Sequence, residues 1–412
     1  MDARDVERPE ATAEAARRGS ALEVLLVFLK LGIGSFGGPV AHIGYFREEF
    51  VVRRRWVEEE AYADLVALCQ FLPGPASSQV GFSIGLLRAG YPGGLAAWTG
   101  FTLPSAIALV LFASGASALS GPAGLGLLHG LRLVAAAIVA QAVWGMARTL
   151  CPDRQRASIA VVAMLIVLLG PVSWATQISA IVLGGVAGLW LCRDVPPPSA
   201  SRLAMPVSRG AAIAALVLFA VLLAGLPILR DFEGSSAIAL FESFYRSGAL
   251  VFGGGHVVLP LLREAFVTPG WVGDDTFLAG YGAAQAVPGP LFSFAAYLGA
   301  VVKTPPHGVA GAALGLIGIF APGMLLLLGT LPFWASLRKR VDSQAAMRGI
   351  NAAVVGLLAA ALYAPVWTSS VATPADFAIV AAGFFFLTAW RASPLLVVVF
   401  SALAAIAQAA IR

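Results

Sequence analysis

The sequence predicts an all-α polytopic membrane protein made of two inverted repeats, with helices broken at glycine and proline, and three observations predict it. Apolar residues make up 59% of the 412 residues and charged residues only 12%, with a mean hydropathy of +0.85. That is far outside the range of soluble domains. Apolar stretches near or above the length needed to cross hydrocarbon recur almost from end to end. The same glycine and proline motifs also return, in the same order, in the second half of the chain.

The composition excludes several classes. A formal charge of +5 and a pI of about 9.4 would point a soluble protein towards nucleic acid. Here the Lys and Arg residues fall in short loops between apolar segments, as the positive-inside rule demands, so nucleic acid is not an expected partner and the lipid bilayer is. Cys69, Cys151 and Cys192 are isolated and lack CxxC spacing, so neither a disulfide nor a metal is expected. Residues 1–20 are polar and mixed in charge, without the apolar core of a signal peptide, and read as a cytoplasmic tail.

The repeat sets the organisation. Phe28 to Pro75 aligns with Phe244 to Pro290, bringing Phe36-Gly37-Gly38 over Phe252-Gly253-Gly254, Arg47-Glu48 over Arg263-Glu264, and Trp56-Val57 over Trp271-Val272. After a one-residue deletion, Gln70 falls over Gln285 and Pro73-Gly74-Pro75 over Pro288-Gly289-Pro290, and Gly130 later lies near Gly349. The expected units are residues 21–192, a linker at 193–237 with one extra transmembrane helix (Gly210 to Leu229), and residues 238–412. Loop charge gives the relative orientation. Arg47 to Arg55 and Arg148 to Arg156 are basic and Ser120 to Leu128 is uncharged, whereas the counterparts Thr268 to Asp275, Pro365 to Pro374 and Arg338 to Arg340 are acidic, uncharged and basic. If cations mark the cytoplasm, the halves are inverted.

Leu22 to Phe50 and Ala61 to Ala89 are each interrupted near the middle, leaving pieces about half a membrane long. Four re-entrant hairpins and about nine full spans follow, or about thirteen simple segments. A break inside a bilayer must face protein or water, because lipid cannot satisfy its backbone groups. Pro39, Pro75 and Pro290 can each open the helix after a break, with Gly255-His256 replacing Pro39-Val40 in the second half. The free N–H groups of four such half-helix N-termini meeting near the midplane suit a desolvated divalent anion.

Candidate substrate-binding residues are therefore Ser35, Gly37, Gly38, Pro39, Gln70, Pro73, Gly74, Pro75, Ser77 and Ser78 in the first half. In the second they are Gly253, Gly254, Gly255, His256, Gln285, Pro288, Gly289, Pro290 and Ser293. Arg47 and Arg263 are the expected cations, duplicated within two or three turns of a break, with Glu48 and Glu264 expected to hold them and to serve as coupling candidates. Lys30, Arg88, Arg132 and Arg246 also lie in or at the ends of apolar segments. His129 and His256 lack partner ligands for a metal.

These motifs, Gly34 to Pro39 and Gln70 to Gln79, echoed by Phe252 to His256 and Gln285 to Ser293, resemble those of the long-chain chromate ion transporters, over nearly all of the chain past the tail. The resemblance implies a multi-pass inner-membrane protein that expels chromate, driven by the proton or voltage gradient, with relatives linked to sulfate. It does not decide chromate against sulfate, and a homodimer is one assembly left open. No cofactor is expected; no GxxxxGK[ST] motif for ATP and no catalytic constellation stands out, so an enzyme is not expected. A passive channel for the same oxyanions is the alternative, sharing the dipole site without a coupled gate.

Single-cysteine labelling should place the regions around Arg53 and Arg338 in the cytoplasm and that around Thr268 outside. Labelling of Arg53 and Thr268 from one face would remove the inverted arrangement.

Overall fold

The computed structural model describes residues 19–116, 121–171, 173–193, 206–252, 255–337 and 339–411, so most of the N-terminal tail, Gly253, Gly254 and Arg338 lie outside the described residues. The described chain is helical throughout. In the first half α1 (Ala21–Gly34) and α2 (Gly38–Arg47) form a broken pair, as do α3 (Glu59–Phe71) and the start of α4 (Ala76–Ala116). These are followed by α5 (Gly121–Leu150), α6 (Arg154–Leu169) and α7 (Trp174–Leu191). After the extra helix α8 (Arg209–Glu233) the order repeats: α9 (Ser236–Ala249), α10 (Val258–Phe266), α11 (Asp274–Ala286), α12 (Phe294–Val301), α13 (Gly308–Thr330), α14 (Val341–Ala361), α15 (Pro374–Thr388) and α16 (Pro394–Ile411).

Backbone breaks fall where the sequence places them. Non-helical dihedrals at Ala89 and Gly90 divide α4 into a short piece, matching α12, and a long one, matching α13. Two expected loops are corrected. Helix α5 already begins at Gly121, so most of the uncharged Ser120 to Leu128 stretch is helical. Helix α14 is followed by a π-helical turn, Leu362–Trp367, kinked at Ala364 (φ −124°, ψ 113°) just before Pro365, and then by the short helix Thr368–Ser370, so the expected Pro365 to Pro374 loop is non-helical only over 371–373 and at this kink. Five helical stretches are long and apolar enough to cross a membrane by length and composition: Ala76–Gly115, Ala123–Leu150, Arg209–Phe232, Gly308–Leu337 and Val341–Ser370.

Each half is completed by the other. Helix α5 of the first half packs on α15 and α16 of the second, while α14 of the second packs on α6 and α7 of the first. Helices α1 and α9, in turn, pack against the long segments α4 and α13 of their own halves. Small residues permit this closeness, as expected where lipid provides no hydrophobic drive between helices. A Cβ on Gly349 of α14 would collide with the Gly184 carbonyl of α7, and one on Gly130 of α5 would stand 2.7 Å from Ala402 Cα of α16.

Helix α8 lies at the periphery, with only 11% of its apolar window buried. It is tied to the second half by Glu242, 3% exposed, which accepts from Arg230 Nη1 of α8 at 3.2 Å and from Arg246 Nε at 2.6 Å. Arg246, suspected for its place in an apolar segment, thus belongs to an ion triad. Arg88 pairs with Glu23 at 3.2 Å and lies over the Trp56 ring.

Gly349→Leu should part α14 from α7 and lower stability by more than about 2 kcal/mol. Gly145→Leu, where a Cβ meets nothing within 4 Å, should stay within about 0.5 kcal/mol. Thermal unfolding of the purified protein in detergent reads both.

Candidate functional site

The site is built where the breaks of the two halves cross. Helix α1 ends at Ser35, whose N–H bonds Leu31 O at 2.8 Å. The chain then turns through Gly37, φ 103°, which caps α2, and Pro39 occupies the second helical position, where no N–H is needed. At the PGP breaks Gly74 and Gly289 take φ 115° and 103°, a left-handed conformation that a side chain would strain. Pro75 and Pro290 stand one residue earlier than expected, at the N-cap: Pro75 O accepts from Gln79 N–H, and Pro290 O from Ser293 N–H. At Pro290 the restart is a 3₁₀ turn, Leu291–Ser293, leading into α12.

The breaks satisfy each other's backbone. Gly289 N–H donates to Ser35 O at 3.0 Å, and Gly74 N–H donates to Val251 O at 2.7 Å. Ser35 and Val251 are matched by the duplication, as are Gly289 and Gly74, so one hydrogen bond occurs twice with the halves exchanged. Pro73 O accepts from Gln79 Nε2 at 3.0 Å, and the same amide reaches Gly323 O of α13 at 2.8 Å. His42, 1% exposed, places Nε2 3.2 Å from Ser35 O and Nδ1 3.4 Å from Ser77 Oγ. The hydroxyl of Ser293 donates to Pro290 O and lies 2.6 Å from Ser105 Oγ; that of Ser78 is buried without a partner.

A cavity of about 60 Å³ opens at one of the two crossings, lined by Gly37, Gly38, Gln141, His256, Gln285 and Gly289 among others. This is room for a few waters or one small tetrahedral ion. Its polar wall is made of neutral groups. Gln285 Nε2 is buried beside the Tyr281 hydroxyl one turn earlier without a well-formed hydrogen bond to it, and His256 Nδ1 lies 2.8 Å from the same hydroxyl. Pro288 precedes Gly289 beside it, and Gly255 opens the 3₁₀ turn that carries His256. No Lys or Arg lines the cavity among the described residues.

The remaining expected residues lie apart. Gln70 is exposed on α3, although its counterpart Gln285 lines the cavity. Arg47 and Arg263 are not held by Glu48 and Glu264, which corrects the expected pairing. Arg47 Nε bonds Glu59 at 2.7 Å and Arg263 makes two bonds to Asp274, at 3.0 and 2.9 Å. Glu59 and Asp274 are themselves matched positions, so each half closes one broken pair onto the next with the same clasp. The Arg47 hydrogen bond holds the exposed Glu59 carboxyl below its ordinary range. Glu264 accepts from the Thr268 hydroxyl at 3.2 Å. Arg263 and Glu264 line a separate cavity of about 390 Å³ with Ser173 and Gln177.

Sequence reasoning missed His42, Gln79 and Gln141. His42 and Gln141 are lone polar residues within apolar helices and Gln79 ends the polar run Ser77-Ser78-Gln79 at the start of one, and that is the signal that would have found them.

Comparison with known proteins agrees with this construction. The family model described as chromate transporter matches residues 22–189 and again 238–406. The chain is 30% identical over 393 residues to the chromate transport protein of Pseudomonas aeruginosa, covering 93% of this chain and 91% of that one. It is 27% identical over 359 residues to a probable chromate transport protein of Synechococcus elongatus, covering 81% and 82% of the two chains. It is 25% identical over 345 residues to the chromate transport protein of Cupriavidus metallidurans, covering 82% and 81%. No solved structure matches the chain. With two family matches spanning most of its length and broken helices completing one another at the crossing, the chain is a membrane protein that belongs to the chromate transporter family, whose members are transporters and not enzymes.

Proposed function

We propose that this protein is a secondary active transporter that exports chromate, or a related tetrahedral oxyanion such as sulfate, across the cytoplasmic membrane and so confers chromate resistance. The observation that carries the reading is the small cavity at the crossed breaks. There a buried amide donor, Gln285 Nε2, makes no well-formed hydrogen bond, and the glycines Gly37, Gly38 and Gly289 leave the backbone approachable. Among chemical classes, an anion is what this amide donor would hold together with the N-terminus of α2, where Gly37 and Gly38 line the same cavity. The relatives' names point to chromate within that class.

In this reading the oxyanion is bound by dipoles and neutral donors. The Gln285 amide donates to one oxygen and backbone N–H groups at the start of α2 to others. His256 Nδ1 meets the Tyr281 hydroxyl; in the tautomer this reading takes, Tyr281 donates to Nδ1 and the ring N–H at Nε2 donates a hydrogen bond to the ion. Neutral donors suit a transporter, since a fixed cation at the midplane would hold a dianion too tightly to release it. Arg47 and Arg263 act as clasps that keep the broken pairs in register.

The inverted arrangement deduced from loop charge gives the two halves opposite orientations, with alternating access arising as one rocks against the other. The reciprocal Gly289–Ser35 and Gly74–Val251 hydrogen bonds mark the pivot, because any motion that separates the breaks leaves both N–H groups unpaired. Proton or voltage coupling then makes export uphill.

Vesicles containing the purified protein should accumulate chromate against its gradient when a pH or voltage gradient is imposed. Flux that only equilibrates would return the passive channel. Gln285→Leu should weaken apparent affinity by about 1–3 kcal/mol, whereas Gln70→Leu should leave it unchanged. Arg47→Lys should retain affinity, since an ammonium can still meet Glu59, and a loss of flux with normal expression would make Arg47 a direct ligand.

A further inference from the structure

A second, larger cavity lies away from the crossed breaks. It measures about 920 Å³ and runs between α5, α11, α12 and α16, with His129, Arg132, Asp275, Tyr297 and Gln408 on its wall. Arg132 Nη1 is hydrogen-bonded to Asp275, whose side chain is 76% exposed. The Arg132 Nε atom is buried and has no partner. His129 lies one turn away on α5, its Nε2 2.8 Å from Asp376 Oδ1 and its Nδ1 3.4 Å from Arg132 Nη2.

The protonation state follows from the donors. A guanidinium has only N–H groups, so the His129 Nδ1 that faces it must accept, and the proton of the neutral ring is on Nε2. Asp376 is 2% exposed and its oxygens are filled: Oδ1 accepts from His129 and from Gln408 Nε2, and Oδ2 from the N–H groups of Ala372 and Thr373. It is therefore held as a carboxylate. With His129 neutral, one cation faces two carboxylates, Asp275 and Asp376, and the mouth carries a net negative charge. A proton on His129 Nδ1 would cancel that charge and set N–H against N–H, turning Arg132 away from the ring and into the cavity. The other groups facing the pair are Tyr297 from α12 and Gln408 from α16, neither charged at neutral pH. The duplication does not require any of this, because it sets Arg348 opposite His129 and Asn351 opposite Arg132, and Arg348 donates instead to Cys192 O and Gln344.

We propose that this cavity is a second, weaker oxyanion site, in which Arg132 is the cation, Asp275 its resident competitor and His129 the titratable group that sets occupancy. The class of anion rests on the transport reading above. The site is a station on the way to or from the crossed breaks, separated from them along α11, which carries Asp275 at its start and Gln285 near its end. A proton on His129 Nδ1 removes the acceptor that faces Arg132 and so favours the anion, which makes occupancy greater at the lower pH.

The test is equilibrium binding of radiolabelled sulfate, which stays divalent throughout, to purified protein in detergent at about pH 6 and about pH 8. A Gln285→Leu background removes the central contact. Asp275→Asn should tighten binding at both pH values, a gain that misfolding does not produce. Arg132→Gln should weaken it about tenfold or more, and His129→Gln should abolish the difference between the two pH values. Binding that is unchanged in Asp275→Asn and Arg132→Gln, or weakened in Asp275→Asn, overturns the site. If the wild type moves no oxyanion in vesicles while Asp275→Asn still tightens sulfate, the transport reading fails and the site stands. Normal flux with sulfate binding indifferent to Asp275 has the opposite meaning.

Discussion

A backbone N–H released by a broken helix must find an acceptor inside the protein when water is absent. In this chain the acceptors are the carbonyls of Ser35 and Val251, and the donors are Gly289 and Gly74 of the opposite halves. Much else follows from these two hydrogen bonds. The chain can be broken near the middle of a segment only because another break lies against it. The breaks can meet only if their turns lack side chains, and the turns can be held only if flanking helices approach closely, as at Gly349 and Gly184. Duplication supplies both members of each pair at once.

The same economy shapes the chemistry. Backbone acceptors at the crossing are spent on protein, Ser35 O on Gly289 N–H and His42, and Pro73 O and Gly323 O on Gln79, which leaves the side-chain amide of Gln285 as a donor beside the cavity. No cation lines the small cavity among the described residues, and three arginines outside it are met by carboxylates: Arg47 by Glu59, Arg263 by Asp274, Arg132 by Asp275. Adjacent carboxylates at the start of α11 thus hold two arginines that belong to different cavities. In the proposed reading, cations stand where ions arrive and neutral donors where they pass.

The broken helices, the duplication and the extra helix were legible because each is local: Gly37-Gly38-Pro39 and the two PGP motifs interrupt apolar runs within a few residues. What depended on direction around a helix was not. Gln70 and Gln285 occupy matched places before matched motifs, yet one is exposed on its helix and the other lines the cavity, a difference of direction that matched sequence does not carry. Glu48 follows Arg47 in sequence, but successive helical residues point apart, and the partner came from the next helix, twelve residues on. The halves also appeared as consecutive units, whereas α5 and α14 each lie among helices of the other half, a relation carried by residues as far apart as Gly184 and Gly349 or Gly130 and Ala402. His42, Gln79 and Gln141 escaped because the duplication gave them no matched twin.

That interleaving bears on how the chain is made. Helix α5 emerges from the ribosome early, but the surface its Gly126 and Gly130 are shaped to receive is on α16, the last described helix of the chain. Until then its small-residue face is turned to lipid or to transient neighbours, and the central pair of hydrogen bonds waits on α9 and on the break after α11. Biogenesis is therefore a delayed closure, in which inserted but unmated helices persist for much of translation and the native fold is locked from its C-terminal end.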